Sequence, residues 1–146
     1  MLRRWGLGGA LLVVGVVVAV DTVAPRTAGA VTTAAVLLLF FLALGVVTTP
    51  LPFPNRMSAD EAARRSAVDG RPVVYWRVGC QFCLRLRLRL GRRAREAYWV
   101  DIWADPDAAA IVRGIADGNE TVPTVVAGSQ RRVNPDPSWV LQQLHS

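Results

Sequence analysis

Apolar positions along this chain fall into two regimes that change at Pro50. Before it they run almost unbroken; after it they come in bursts of four or five, separated by charge, proline and glycine. The first run, WGLGGALLVVGVVVAV over 5–20, extends through Ala24 to about 20 residues, or about 30 Å of helix, which matches a hydrocarbon core. Asp21 then falls at its far boundary. A second run, 28–48, is uncharged, spans a similar length and is joined to the first by Pro25-Arg26-Thr27. The pattern predicts a transmembrane helical hairpin. Gly6, Gly8, Gly9 and Gly15 let its two helices approach closely, and the absence of ionisable groups deep in either run argues against an ion or proton path.

Beyond Pro50 the periods shorten. Pro50, Pro52 and Pro54 stiffen the exit from the second run, because each fixes its own φ and biases the residue before it towards extended backbone. Ser58-Ala59-Asp60-Glu61 has the S-x-x-E form of a capping box and predicts a short helix, ended by Gly70-Arg71-Pro72. VVYWR at 73–77 is β-branched and aromatic between Pro72 and Gly79, and reads as a strand. The stretch 83–94 (CLRLRLRLGRRA) alternates with period 2, yet its length and its place after a strand favour a helix, with Cys83, Leu86 and Leu90 on one face. Residues 98–102 form a second strand. Asp105-Pro106-Asp107 opens a helix to about Asp117, stopped by Gly118-Asn119. Strands at 124–127 and 131–134 flank the turn Gly128-Ser129-Gln130, and Asp136-Pro137-Ser138 caps a last helix over 139–144. The order is βαβαββα.

Charge adds orientation. All 17 basic residues are arginine and none is lysine, a bias typical of GC-rich coding, so single arginines carry little weight. Arg3 and Arg4 precede the first run, Arg56, Arg64 and Arg65 follow the second, and Arg26 alone marks the hairpin tip. Both ends, and with them the globular part, are expected on the cytoplasmic side of the plasma membrane. A secretory signal in the first run, with Ala28-Gly29-Ala30 as its cleavage site, leads to the same side. The net charge of +6 suits an anionic membrane surface. No aromatic-interleaved basic platform or recognition helix accompanies it, so no nucleic-acid partner is expected. The arginines between 85 and 95 form a dense basic stripe.

Two cysteines stand three positions apart, Cys80-Gln81-Phe82-Cys83. A disulfide scaffold spreads its cysteines to close long loops, so this spacing points to chemistry. A bare CxxC serves redox exchange or half of a zinc site. Here it follows a strand and opens a helix, where free N–H groups and the helix dipole stabilise a thiolate on Cys80 as nucleophile. Cys83, one turn in and on the core face, suits the resolving role. Zinc needs four ligands, and only His145 and scattered carboxylates are at hand, so no metal site is expected. Thr121-Val122-Pro123 lies forty residues on, directly before a strand. In this element order a cis X-Pro loop falls beside the cysteines, where the backbone of Val122 can pair with a bound peptide or thiol.

On these residues, 72–144 resembles the glutaredoxin family, and most closely the actinobacterial mycoredoxins. The matching pieces are VVYW, Cys80-Gln81-Phe82-Cys83, Val100-Asp101-Ile102, Gly118-Asn119-Glu120-Thr121-Val122-Pro123-Thr124-Val125, and Asn134-Pro135. The resemblance implies a thioredoxin/glutaredoxin α/β fold, a four-stranded mixed sheet flanked by helices. It also implies catalysis by Cys80 and Cys83, with substrate contacts from Arg77, Gln81, Phe82, Thr121, Val122 and Pro123. The expected division is 1–49 membrane anchor, 50–71 proline-rich linker and juxtamembrane helix, and 72–146 glutaredoxin-like domain.

Several positions depart from the family. Gln81 and Phe82 replace the usual Pro or Gly and Tyr, and Gly79 stands where an aromatic or Thr is common. Val133-Asn134-Pro135-Asp136 replaces the Gly-Gly-Cys-Asp that holds glutathione's glutamyl end. The resemblance therefore implies mycothiol rather than glutathione as the low-molecular-weight thiol co-substrate, with no bound cofactor. Partners would be disulfide-containing or thiol-modified client proteins and the lipid bilayer. Two alternatives stand beside it: a thioredoxin-type electron donor reduced by a flavoenzyme, and a module holding a metal or iron–sulfur cluster between two chains.

Overall fold

A computed structural model of the chain describes residues 2–23, 28–47, 53 and 57–144. The turn at Pro25-Arg26-Thr27, the prolines at 50, 52 and 54, Arg56 and His145 lie outside the described residues. The chain divides into two compact units, Met1–Pro52 and Phe53–Ser146.

The first unit is a pair of packed helices, α1 (Leu2–Val23) and α2 (Ala28–Val47). Small residues at the contact, Gly15 and Ala34, are buried, and a Cβ at Gly15 would come 2.6 Å from the Cβ of Phe41. One glycine thus permits the close approach. Many of the residues around the contact are apolar and exposed. Within α2, Ala28–Gly45 is long and apolar enough to cross a membrane. The described apolar stretch of α1, Gly9–Thr22, is shorter than a span, whereas the expected first run was about 20 residues.

The second unit has the predicted βαβαββα order, preceded by α3 (Ala59–Asp69). Its strands are β1 (Val73–Trp76), β2 (Tyr98–Asp101), β3 (Thr124–Ala127) and β4 (Gln130–Val133), arranged β2-β1-β3-β4. β1 runs parallel to β2 and antiparallel to β3, and β3 pairs antiparallel with β4 around Gly128-Ser129, a mixed sheet. Its helices are α4 (Gln81–Leu90), α5 (Pro106–Ile115) and α6 (Pro137–Gln143). α4 packs with α6, and α5 with α3. Every residue of β1 and of β2 is buried, which is why VVYW and YWV show no alternation: helices cover both faces. The core is Val73, Val74, Val100, Val112, Val125, Val140 and Trp99, whose indole N–H donates to the Ala94 carbonyl at 2.7 Å.

The expected helix over 83–94 is shorter. α4 ends at Leu90, Gly91 adopts φ +55°, and a 3-10 turn, Gly91–Glu96, continues the chain. Glycine tolerates that backbone and terminates the α-helix there. The capping box is half formed. Ser58 accepts from the Glu61 N–H at 3.3 Å, while the Glu61 carboxylate turns to Arg64 and Arg65.

α3 belongs to the globular core, because Ala59 and Ala62 are buried in it. Two polar ties fix the helix. Asp105 caps α5 through Oδ1, accepting from the Asp107 and Ala108 N–H groups, and through Oδ2 accepts from the Ala59 N–H of α3 at 2.7 Å. At the other end of α3, the Tyr98 hydroxyl donates to Asp69, holding that carboxyl below its ordinary range, with help from the Arg71 N–H and guanidinium.

Two outcomes follow from these ties. Asp105→Ala strands three N–H groups at once and is expected to lower stability by about 2 kcal/mol in denaturant unfolding read by tryptophan fluorescence. Asp105→Asn, which keeps a carbonyl acceptor, should lose clearly less; equal losses would remove the double-cap account. For the second tie the sign is set by Asp69, whose folded carboxyl sits below its ordinary 3.8. Its stabilisation is complete above that value and lost as the pH falls through the lowered folded one. Tyr98→Phe is therefore expected to be less stable at neutral pH, with the gap to the parent chain closing in acid. A gap constant down to about pH 2 would contradict this.

Candidate active site

The end of β1 delivers the chain to the start of α4 through Arg77-Val78-Gly79-Cys80. Gly79 lies at φ +77° with open space where a Cβ would stand, so the backbone conformation selects glycine. Cys80 is then the N-cap of α4, in the position that Ser or Asp usually fills. Its backbone is extended, its carbonyl accepts from the Leu84 N–H at 3.0 Å, and its Sγ accepts from the Cys83 N–H at 3.1 Å. That amide and the helix's N-terminal partial charge favour negative charge on the Cys80 sulfur once it is reduced.

Cys80 and Cys83 are joined as a disulfide with their Cα atoms 5.3 Å apart. They differ in access. Cys83 is fully buried beside Leu86 and Leu90, whereas Cys80 is half-buried and reaches the surface. Of the two cysteines, Cys80 is therefore the one open to solvent.

The Val122–Pro123 bond is cis, and the Val122 carbonyl oxygen lies 3.4 Å from Cys80 Sγ. As a disulfide sulfur has no proton to donate, this is a contact between the two groups. The loop is held from both sides. Thr124, wholly buried, donates its hydroxyl to the Thr121 carbonyl at 2.7 Å, and the Asn134 N–H donates to the Pro123 carbonyl at 2.7 Å. Thr121 is exposed beside it, while Val122 and Pro123 are buried.

The remaining sequence-derived positions scatter around this centre. Gln81 and Phe82 are exposed in the first turn of α4, Phe82 retaining 47% of its surface. Arg77 is half-buried, with its guanidinium 5.4 Å from the ring centre of Trp103, so its nearest described aromatic partner is that ring. Among the described residues no three His, Cys, Asp or Glu side chains stand together as a metal site.

Two features escaped the sequence reading. A groove of about 590 Å³ opens beside Phe82, between Arg85 and Arg89 of α4 and residues 134–138, which lead into the first turn of α6. Asp136 lies in it, its carboxyl lowered first by the hydrogen bonds from Ser138 and then by the charges of Arg89 and Arg85. The spacing of Arg85 and Arg89, one helical turn apart, was visible; that Asp136 faces them depends on how α6 packs on α4. The second is Phe53, stacked on Trp76 with ring centres 3.8 Å apart and tilted against Trp99. The Trp76 Nε1 beneath it is buried without an acceptor among the described residues. An aromatic inside a proline run was the only signal for that contact.

No curated protein and no solved structure matches the chain. One family model does, the model described as Glutaredoxin, and it covers 73–131, from the first residue of β1 into β4. The matched stretch contains the dithiol, its N-cap geometry and the Val122–Pro123 loop, so over residues 73–131 the chain is similar to the glutaredoxin family.

Proposed function

We propose that the chain is a membrane-anchored thiol–disulfide oxidoreductase that reduces mixed disulfides between proteins and a low-molecular-weight thiol, or protein disulfides. The observation that carries this reading is the asymmetric pair: a reachable Cys80 sulfur that accepts a helix N-terminal amide, disulfide-bonded to a buried Cys83. In the reducing half-cycle the Cys80 thiolate attacks the small-thiol sulfur of the mixed disulfide. A Cys80–thiol disulfide forms, and the client protein leaves as a thiolate that takes a proton. The Cys83 thiolate then attacks Cys80 Sγ and expels the small thiol. Two electrons have passed from the dithiol to the substrate, leaving the Cys80–Cys83 disulfide; two further small thiols, which leave joined as their own disulfide, or a flavoenzyme return the dithiol.

Mycothiol is our choice of co-substrate, on the resemblance of the Cys80-Gln81-Phe82-Cys83, Thr121-Val122-Pro123 and Asn134-Pro135 segments to mycoredoxins. Arg77, Gln81, Phe82, Thr121 and the Val122 backbone are our proposed substrate contacts, with Pro123 shaping the loop. We assign residues 1–49 to the anchor and 72–146 to the glutaredoxin-like domain, with Phe53 and α3 of the 50–71 segment packed into the same globular core. On the arginine distribution, α1 and α2 together form two spans with both ends in the cytoplasm. That compartment is reducing, which sets the direction of the exchange.

Cys80→Ser is expected to reduce turnover of a protein–thiol mixed disulfide to the uncatalysed background. Cys83→Ser should retain monothiol turnover of small mixed disulfides and accumulate an adduct on Cys80. Equal loss from both substitutions would favour the thioredoxin-type dithiol donor. Mass analysis of the Cys83→Ser adduct after exposure to the cell's thiol pool identifies the thiol, and a glutathione adduct would replace mycothiol.

A further inference from the structure

The positive charge of the chain is concentrated in one place. Residues 81–96 hold six of the 17 arginines and one of the 11 acids, hence five of the net six positive charges. Arginine usage set by coding bias would be spread evenly; this clustering is not. The single acid, Glu96, pairs with Arg93 at 3.1 Å. Arg85, Arg89, Arg92 and Arg95 are exposed, and among the described residues Arg92 and Arg95 have no carboxylate within ion-pair distance. Arg87 donates to the Gly91 carbonyl at 2.7 Å, and partial burial followed by the charge of Arg95 lowers its guanidinium's affinity for its proton. Like charges held together in this way are relieved by an anion.

Leu88 stands within the same stretch and is 70% exposed. Cys83, Leu86 and Leu90 define the core face of α4, and Leu88 projects from the opposite side. A bare leucine among guanidinium groups fits one surface chemistry well. Anionic headgroups accept the arginines, and the acyl boundary directly beneath accepts the leucine. Single-stranded nucleic acid instead asks for aromatic stacking surfaces, and Leu88 has no π face. The same chain carries α2, long and apolar enough to cross a membrane, and only residues 48–52 separate Val47 from Phe53, a tether of at most about 20 Å.

We propose that residues 84–95, the outer face of α4 and the 3-10 turn after it, dock on an anionic lipid surface, with Leu88 inserted and Arg85, Arg92 and Arg95 on the headgroup phosphates. The effective lipid concentration at a tethered domain makes even a small face sufficient. The inference draws on the reading of α2 as a span but on nothing in the redox chemistry.

The test places the full chain in nanodiscs of phosphatidylcholine alone or with 30% phosphatidylglycerol, and follows modification of each arginine by a neutral dicarbonyl reagent with mass analysis. Arg85, Arg92 and Arg95 should react about fivefold or more slowly in the anionic discs. Arg113, on α5 and paired with Glu120, should react equally in both. High salt should abolish the difference. Arg92→Gln with Arg95→Gln, both outside the dithiol site, should restore the Arg85 rate in anionic discs. Equal rates in the two lipids overturn the proposal, as does protection that appears only on adding an acidic protein. A chain that fails to remain in the bilayer after alkaline extraction would instead remove the span.

Discussion

The start of α4 depends on a sulfur. A helix leaves its first N–H groups without partners, and one of them, on Cys83, is satisfied by Sγ of Cys80, the residue that would attack a substrate. Structure and reactivity therefore share one acceptor. Whatever Cys80 does chemically, its sulfur remains the best local acceptor for that amide, and negative charge on it improves the cap. The same bond fixes where Cys83 goes: one turn into the helix, buried beside Leu86 and Leu90. Burial of one thiol and access to the other follow from a cap and a helical period, with no further residues needed.

That arrangement holds only if the strand feeding α4 and the loop beside it are fixed. β1 is buried on both faces between β2 and β3, and the Val122 carbonyl meets Cys80 because β3 pairs antiparallel with β1. The loop is then locked by the Thr124 hydroxyl on one side and the Asn134 amide on the other. A domain of this size buries little core, so polar ties that serve two elements matter more than they would in a larger one. Asp105 is the clearest, capping α5 and holding the first turn of α3 with one carboxylate.

The element order, the four strands and the dithiol were legible because each rests on local signals: β-branched runs, Asp-Pro helix starts, glycine stops and a CxxC after a strand. The end of α4 was misplaced because no proline interrupts the chain between Cys83 and Ala94, while the break depends on one glycine's positive φ. Contacts set by long-range packing were not legible. Asp105 read as the start of α5, yet nothing near it in sequence announces Ala59, 46 residues away. Asp136 read as a cap for α6, and its place opposite Arg85 and Arg89 appears only once α6 lies against α4.

Phe53 shows how far a single aromatic can reach. It is the first residue of the globular unit and stacks on Trp76, the last residue of β1, from which Arg77-Val78-Gly79 leads to Cys80. The point where the chain enters the unit and the point where the dithiol begins therefore share one strand end. Trp76 is buried with its Nε1 unpaired among the described residues, so stacking and burial of the indole ring offset the cost of a lost hydrogen bond, about 1–3 kcal/mol. A tryptophan kept at that cost indicates that ring area is what the site uses. Phe53 meets both Trp76 at the end of β1 and Trp99 of β2, so the segment by which the chain enters the unit covers two adjacent strands. The dithiol begins four residues beyond Trp76, so the strand end that leads to it is the one Phe53 covers.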